Sequence, residues 1–287
     1  MRLIRIGTRG SLLALAQTKI IADQILHAHP DAHIDIVKII TSGDKNMSPF
    51  SSDPSGIKGM FTREIEQALT NHDIDFAVHS LKDLPANMSP DLPIVAYSHR
   101  GDPRDALVMS NTGPELSTIG TSSIRRRLQA TKLYPDAEIL PVRGNIDTRL
   151  KKLDSGKYSA LIMSAIGLQR LGLAHRITRV FSPDEIMPAP GQGILACQGR
   201  LDGEYEYLAC VNDDDSRDCA LAERSFSRAL NAACNVPIGA YAVTHGEILT
   251  LRGLYVDDEG IFHRGSVSGL RSDAESLGQR LAEVIVS

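Results

Sequence analysis

Two short stretches of this chain carry residue types suited to covalent and acid–base chemistry. In Cys234-Asn235-Val236-Pro237-Ile238-Gly239 a thiol follows a helical stretch and precedes a Pro/Gly turn, so the sulfur belongs to a surface loop. A cysteine so placed is either a small hydrophobe or a point of covalent attachment. It stands at the C-terminal end of its helix, where the dipole disfavours a thiolate, and no histidine adjoins it to act as a base. That argues against a turnover nucleophile. A thiol that reacts once with a strong electrophile and stays attached needs no such activation. Cys197, Cys210 and Cys219 form no C-x-x-C pair with it or each other, so no metal site is expected.

The second stretch is Ala77-Val78-His79-Ser80-Leu81-Lys82-Asp83-Leu84-Pro85. Its apolar half reads as a strand ending at Ser80, and Pro85 prevents a helix from forming after it, which leaves Lys82 and Asp83 on a short loop. His79 reads as packing. Asp83 is either a turn residue capping its own loop or a fixed negative charge. At about 4 Å and an effective dielectric near 20, such a charge stabilises a cation by roughly 4 kcal/mol. That is on the order of a thousandfold in rate.

These groups need elements to hold them. Ile6-Gly7-Thr8-Arg9-Gly10-Ser11 leaves a strand and opens an amphipathic helix, and Ile119-Gly120-Thr121-Ser122-Ser123 does the same again. Both helices end at Pro-Asp-Ala (30–32 and 135–137) before a strand, over 34–40 and 139–142. Each unit continues through Thr-Arg, read as a helix start (Thr62-Arg63 and Thr148-Arg149), into a strand ending in Ser. The repeat predicts two similar α/β domains with parallel-rich sheets. Crossovers are expected at 99–103 and 188–193, with 194–197 re-entering the first sheet. A helix over 217–233, three strands, and a last helix opened by the capping box Ser272-x-x-Glu275 predict a small α+β C-terminal domain. The expected domains are residues 1–99 with 193–213, then 100–192, then 216–287, with a lid loop over 42–60. That loop is rich in Ser, Gly, Asp and Pro and has no period.

Strand-to-helix turns with unpaired backbone N–H groups are anion sites, and here they carry Arg9, Arg125 and Arg126. Arg143 and Arg149 follow the next strand. All lie at carboxyl ends of expected strands, where open α/β sheets bind ligands. Guanidinium groups match carboxylates bidentately, so the set points to a small polyanion. Phosphate competes as a ligand, but no Walker spacing is present.

Composition narrows the class. A net charge of −4 excludes the usual basic nucleic-acid binder, and 5% aromatic residues leave little to stack on bases. No apolar run approaches the roughly 20 residues of a membrane span. The opening Met1-Arg2-Leu3-Ile4-Arg5-Ile6 reads as a strand and not a signal peptide, so a cytoplasmic protein is expected. No long apolar seam suggests more than a monomer.

Taken in order, Gly7-Thr8-Arg9-Gly10-Ser11, His79-Ser80-Leu81-Lys82-Asp83-Leu84-Pro85, Gly120-Thr121-Ser122-Ser123-Ile124-Arg125-Arg126, Arg143-Gly144-Asn145, Pro190-Gly191-Gln192-Gly193 and Cys234-Asn235-Val236-Pro237-Ile238-Gly239 resemble the porphobilinogen deaminase (hydroxymethylbilane synthase) family. The resemblance implies two periplasmic-binding-protein-like α/β domains plus a third domain. It implies a transferase that condenses four porphobilinogen molecules head to tail with loss of ammonia and releases hydroxymethylbilane for tetrapyrrole synthesis. The implied cofactor is a dipyrromethane on Cys234, held by Ser80, Lys82, Asp83, Thr121, Ser122, Ser123, Arg125 and Arg126. Asp83 is implied as the catalytic carboxylate. Arg9, Ser11, Gln17, Phe61, Arg143, Asn145, Arg149 and Arg176 are implied to hold substrate, and Lys58 to serve the lid. The product is expected to pass to uroporphyrinogen-III synthase. This chain has Gly56-Ile57-Lys58-Gly59 where the family usually reads Gly-Gly-Lys-Gly, and Gln198 where Glu is usual. The rival readings are a bilobed small-anion-binding protein without catalysis, and a thiol transferase using Cys234 as a transient nucleophile.

Overall fold

A computed structural model describes residues 3–42, 56–111, 116–230 and 237–286, the side chains of 56–61 excepted. Strand β1 (Leu3–Arg9) runs into helix α1 (Leu12–Ala28), which buries Gln17, Thr18, Ile21, Ala22 and Ile25, a stripe at helical spacing. Strand β2 (His33–Ile39) lies parallel to β1. Helix α2 (Gly56–Thr70) leads to β3 (Phe76–Ser80) on the other side of β1, and β4 (Ile94–Tyr97) follows. The chain then crosses into a second sheet with β5 (Asp105–Met109), β6 (Thr118–Gly120), helix α3 (Ile124–Leu133) and β7 (Glu138–Leu140). Helix α4 (Ile146–Asp154), β8 (Ala160–Ser164), helix α5 (Ala165–Arg170) and β9 (Arg179–Val180) complete it. Strand β10 (Leu195–Gly199) returns and inserts antiparallel between β3 and β4 of the first sheet.

The two sheets have the same order, β2-β1-β3-β10-β4 and β7-β6-β8-β5-β9. In both, the first three strands are parallel and the fourth, which emerges from a crossover, is antiparallel. Helix α6 (Asp214–Ala229), strands β11 (Ile238–His245), β12 (Ile248–Val256) and β13 (Phe262–Leu270), and helix α7 (Ala274–Val286) make the third unit. Ala222 and Phe226 of α6 pack with Leu277 and Leu281 of α7 against Leu249 and Leu251. The fold class is therefore the expected one: two α/β domains and a small α+β domain.

Local expectations fail at four helix starts. Thr62-Arg63 and Thr148-Arg149 lie inside α2 and α4, which begin earlier. Helix α6 starts at Asp214 because Asp213 caps it, accepting from the Ser216 N–H at 2.8 Å, and Asp214 and Asp215 suit the positive helix end. Ser272 does not cap α7. It sits in a 3-10 turn over Arg271–Asp273 and donates to Asp273 at 3.1 Å, while the Glu275 carboxylate pairs with Arg228.

The two crossovers run side by side. Gly101 N–H donates to Gly193 O at 3.2 Å, and Gly193 has φ +98°, where an added Cβ would sit 2.5 Å from Gly101 O. Arg100 of the outward crossover meets Glu223 of α6 at 2.6 Å, and Glu223 is fully buried. The same carboxylate accepts from Gly191 N–H at 2.6 Å and Ala242 N–H at 2.7 Å, so one side chain ties both crossovers to the third domain. Among the described residues no helix is long and apolar enough to cross a membrane, and no cluster of His, Cys, Asp or Glu is placed to hold a metal.

Candidate active site

The chemistry-bearing loops gather at the carboxyl ends of the parallel strands. β3 ends at Ser80, whose hydroxyl accepts from Gln17 Nε2 of α1 at 2.9 Å. A 3-10 turn over Leu81–Asp83 follows. Leu81 and Leu84 bury against Ile194 and Ala196, and this anchoring leaves Asp83 exposed between them. Among the described residues Asp83 accepts no hydrogen bond and makes no ion pair. Just behind it His79 is buried, its Nε2 without a hydrogen-bond partner among the described residues, and burial pulls its pKa down to about 4.

The second turn is built from Thr121, Ser122 and Ser123. Thr121 Oγ1 accepts from Ser123 N–H at 3.3 Å, and Ser123 caps α3 by accepting from Arg126 N–H at 3.4 Å. Ser122 donates to Val142 O. Arg125 and Arg126, in the first turn of α3, are 6% and 7% exposed and turn inward onto Asp105. Each places an Nη2 2.8 Å from one oxygen of that carboxylate. Burial by itself would push Asp105 up, but the two guanidiniums overcome it and hold its carboxyl well below the usual range. Arg125 also donates to Met187 O.

Lys82 reaches this cluster from the first domain, donating to Gln192 Oε1 at 3.1 Å. Removal from water, then the neighbouring Arg126 charge, bring its pKa down to about 8, against the opposing pull of Asp83 and Asp105. Arg149 of α4 donates to Gly144 O at 2.7 Å. Burial and the Arg126 charge lower its pKa, and Asp83 acts on it in the opposite sense. Asp83, Lys82, Arg125, Arg126 and Arg149 thus share one electrostatic field spanning both domains.

Other expected residues stand apart. Arg9 is half-buried at the end of β1 and acts on His79, and Ser11 caps α1 by accepting from Ala14 N–H at 3.2 Å. Arg143 and Asn145 are exposed on the loop before α4. Arg176 is engaged by Asp154 at 2.5 Å. Lys58 and Phe61 contribute backbone to α2, but their side chains, and Cys234 entirely, lie outside the described residues. Sequence reasoning missed Asp105, Gln192 and Glu223. Glu223 left a trace, since a lone Glu on the apolar face of α6 beside Ala220, Ala222 and Phe226 calls for a buried partner.

The cluster fits a ligand with several carboxylates. Two cations, Arg125 and Arg126, pair with the single buried carboxylate of Asp105, and a third, Lys82, lies within its electrostatic reach and donates to Gln192. The Arg126 Nε is buried with no hydrogen-bond partner among the described residues. Such a surplus of buried donors requires acceptors.

Residues 4–206 match the porphobilinogen deaminase dipyrromethane cofactor binding domain, and residues 218–287 match the C-terminal domain of the same family. The porphobilinogen deaminase of Ruminiclostridium josui is 43% identical over 288 residues, covering 100% of this chain and 99% of that protein. That of Acetivibrio thermocellus is 46% identical over 282 residues, covering 97% and 96%. Among solved structures, the methionine-binding protein MetQ aligns over 77% of this chain and 94% of its own, with a TM-score of 0.45 and 11% identity. With both family domains matched in order and the identity spanning the full length, the chain belongs to the porphobilinogen deaminase family.

Proposed function

We propose that the cation cluster between the domains and the unpaired Asp83 are the working parts of a hydroxymethylbilane synthase. The chain condenses four porphobilinogen molecules head to tail, releases ammonia at each addition, and hydrolyses the product off as hydroxymethylbilane. The family's dipyrromethane is its cofactor. When bound, that group supplies the pyrrole terminus from which the product grows.

The residues of the chain divide the work. Lys82, Arg125 and Arg126, with the hydroxyls of Ser122 and Ser123, hold cofactor carboxylates, and Thr121 and Ser80 shape the turns behind them. Cys234 is the thioether tether, its role one of attachment and not turnover. Loss of ammonia from a pyrrolylmethylamine leaves a delocalised cation on the substrate. Asp83, exposed and without an ion-pair partner among the described residues, presents fixed negative charge to it. Arg9, Ser11, Gln17, Phe61, Arg143, Asn145, Arg149 and Arg176 receive the carboxylates of substrate and the growing chain, and Lys58 serves the lid. The domain limits that suit this division are 1–99 with 193–213, 100–192 and 216–287. We further place the protein in the cytoplasm as a monomer, without membrane or nucleic acid, passing its product to uroporphyrinogen-III synthase.

One observation carries the reading: Arg125 and Arg126 on a single buried carboxylate with Lys82 close by, beside an aspartate that has no hydrogen-bond or ion-pair partner among the described residues. A binding protein without chemistry has no use for that aspartate. Intact-protein mass tests it. The resting protein should carry a stable excess equal to one dipyrromethane, absent from Cys234→Ala. An unmodified wild type with full turnover of porphobilinogen would overturn the assignment.

A further inference from the structure

The side chain of Gln192 is fully buried in the return crossover, and all four of its hydrogen-bonding positions are used. Its Nε2 donates to Pro103 O at 2.6 Å and to Asp105 Oδ1 at 2.8 Å. Its Oε1 accepts from Lys82 Nζ at 3.1 Å and, more weakly, from Arg126 Nη2 at 3.5 Å. The amide has only one orientation here. Turned over, its NH₂ would face two cations, and its oxygen would face a carbonyl and a carboxylate. Its backbone is fixed as well, because Gln192 O accepts from Arg100 Nε at 3.0 Å and its N–H donates to Ala189 O at 2.9 Å.

The contacts come from separate parts of the fold. Lys82 lies on the first-domain loop beside Asp83, Arg126 and Asp105 lie in the second sheet unit, and Gln192 lies in the segment joining them. Lys82 has two carboxylates within electrostatic reach, Asp83 and Asp105, and two cations, Arg125 and Arg126. Without an acceptor at Gln192 its ammonium would turn to one of those carboxylates. Pairing with Asp83 would neutralise the charge that faces the cation developing on the substrate. A carboxylate in place of the amide would keep the acceptor. It would also set a second anion against Asp105 and cancel part of the positive charge that ligand carboxylates require.

We propose that Gln192 is a positioning residue whose neutral amide holds Lys82 away from Asp83 while leaving the charge of Lys82 and Arg126 for the ligand. The inference rests on the roles given above to Asp83, Lys82 and Arg126. Two substitutions separate the two halves of the idea. Gln192→Met fills a similar volume without an acceptor, and should lower kcat for porphobilinogen consumption about tenfold with KM within about twofold. Gln192→Glu keeps the acceptor but adds charge, and should raise KM about tenfold while kcat falls less than in Gln192→Met. A role in packing alone moves kcat and KM together, and makes the buried carboxylate the worse substitution in both. On a Lys82→Met background Gln192→Met should cost less than about twofold further, since its effect passes through Lys82.

The measurements use holoenzyme whose cofactor content is confirmed by mass. Parallel changes in kcat and KM for both variants, or a Gln192→Met enzyme with wild-type kcat, would overturn the proposal. Should Gln192→Met not yield folded holoenzyme, Gln192→Asn, which withdraws the amide by one methylene, carries the same comparison of kcat. Asp83→Asn run alongside distinguishes the levels. If it is inactive while the Gln192 variants behave as wild type, only this inference fails. If Asp83→Asn is active, the reading beneath it fails as well.

Discussion

The ends of β3 and β8 occupy the same place in two sheets of identical order, yet they do different things. The pairings Ile6↔Phe76 and Ile119↔Ala160 bring Ser80 and Ser164 into correspondence, so Asp83 corresponds to Gly167 and His79 to Met163. After Ser80 the chain makes a 3-10 turn that exposes Asp83. After Ser164 it enters α5 directly, and a Cβ at Gly167 would come within 2.8 Å of Ser164 Oγ and 3.1 Å of Ile146. One copy of the scaffold exposes a carboxylate with no partner among the described residues, where the other has no room for a side chain. The anion turns differ in the opposite sense: Arg9 of the first is half-buried, whereas Arg125 and Arg126 of the second are locked on Asp105. In the proposed function, the duplicated sheets set where ligands bind, and the loops after each strand divide the labour into charge that reacts and charge that holds.

If that division is right, the largest effect belongs to Asp83. Asp83→Asn should lower kcat about a thousandfold, with the protein still folded and still carrying cofactor. Steady-state kinetics with intact mass checks this, and near-normal turnover would place the reacting charge elsewhere. Next comes the holding side. Arg126→Leu leaves Asp105 buried with half its compensation and should cost about 3–5 kcal/mol of stability in urea unfolding. Arg9→Leu, at the equivalent turn, should cost under about 1 kcal/mol and act on KM instead. Equal losses at the two sites would erase the asymmetry.

Much of this arrangement is legible in the chain. The Gly-Thr turns, the Pro-Asp-Ala stops and the Ser-ended strands mark the duplication, because each depends on local backbone requirements. Asp83 is legible for the same reason: Pro85 stops the loop that exposes it. Asp105 and Gln192 are not legible. Asp105 opens a strand whose next residues are Ala106-Leu107-Val108, and nothing near it in sequence says that α3 will turn two arginines back onto it. Gln192 acquires its role only when two crossovers and a loop more than a hundred residues away converge. The failed helix starts at Thr62, Thr148 and Ser272 have a local cause, since each residue suits a helix or turn interior as well as a cap.

The strand ends differ also in their penultimate residue. Met163 packs in an apolar core, whereas His79, its counterpart, is buried with no partner for Nε2 among the described residues. Burial lowers the His79 pKa from 6.5 to about 4 in the folded protein. The unfolded chain therefore binds the extra proton between those values. The His79 contribution to stability is full above pH 6.5 and falls as pH drops toward 4, by about 3 kcal/mol at the lower end. His79→Met imports the second domain's solution and should remove that acid-side loss. Urea midpoints at pH 7 and pH 4.5 test it, and an undiminished loss in the variant would mean that other groups set the acid limit.

The smallest difference lies in the caps. Ser11 accepts from Ala14 N–H at 3.2 Å and Ser123 from Arg126 N–H at 3.4 Å, and neither helix has an acidic residue in its first turn. Ser11→Ala should cost about 1 kcal/mol, the ordinary loss of a hydroxyl cap. Ser123→Ala should cost less, because α3 is also held by Arg125 and Arg126 on Asp105, and that anchor persists when the hydroxyl is gone. In an Asp105→Asn background the anchor is weakened and the Ser123→Ala loss should rise toward that of Ser11→Ala. If it does not, the cap and the buried ion pairs act independently, and the second turn is held by its backbone alone.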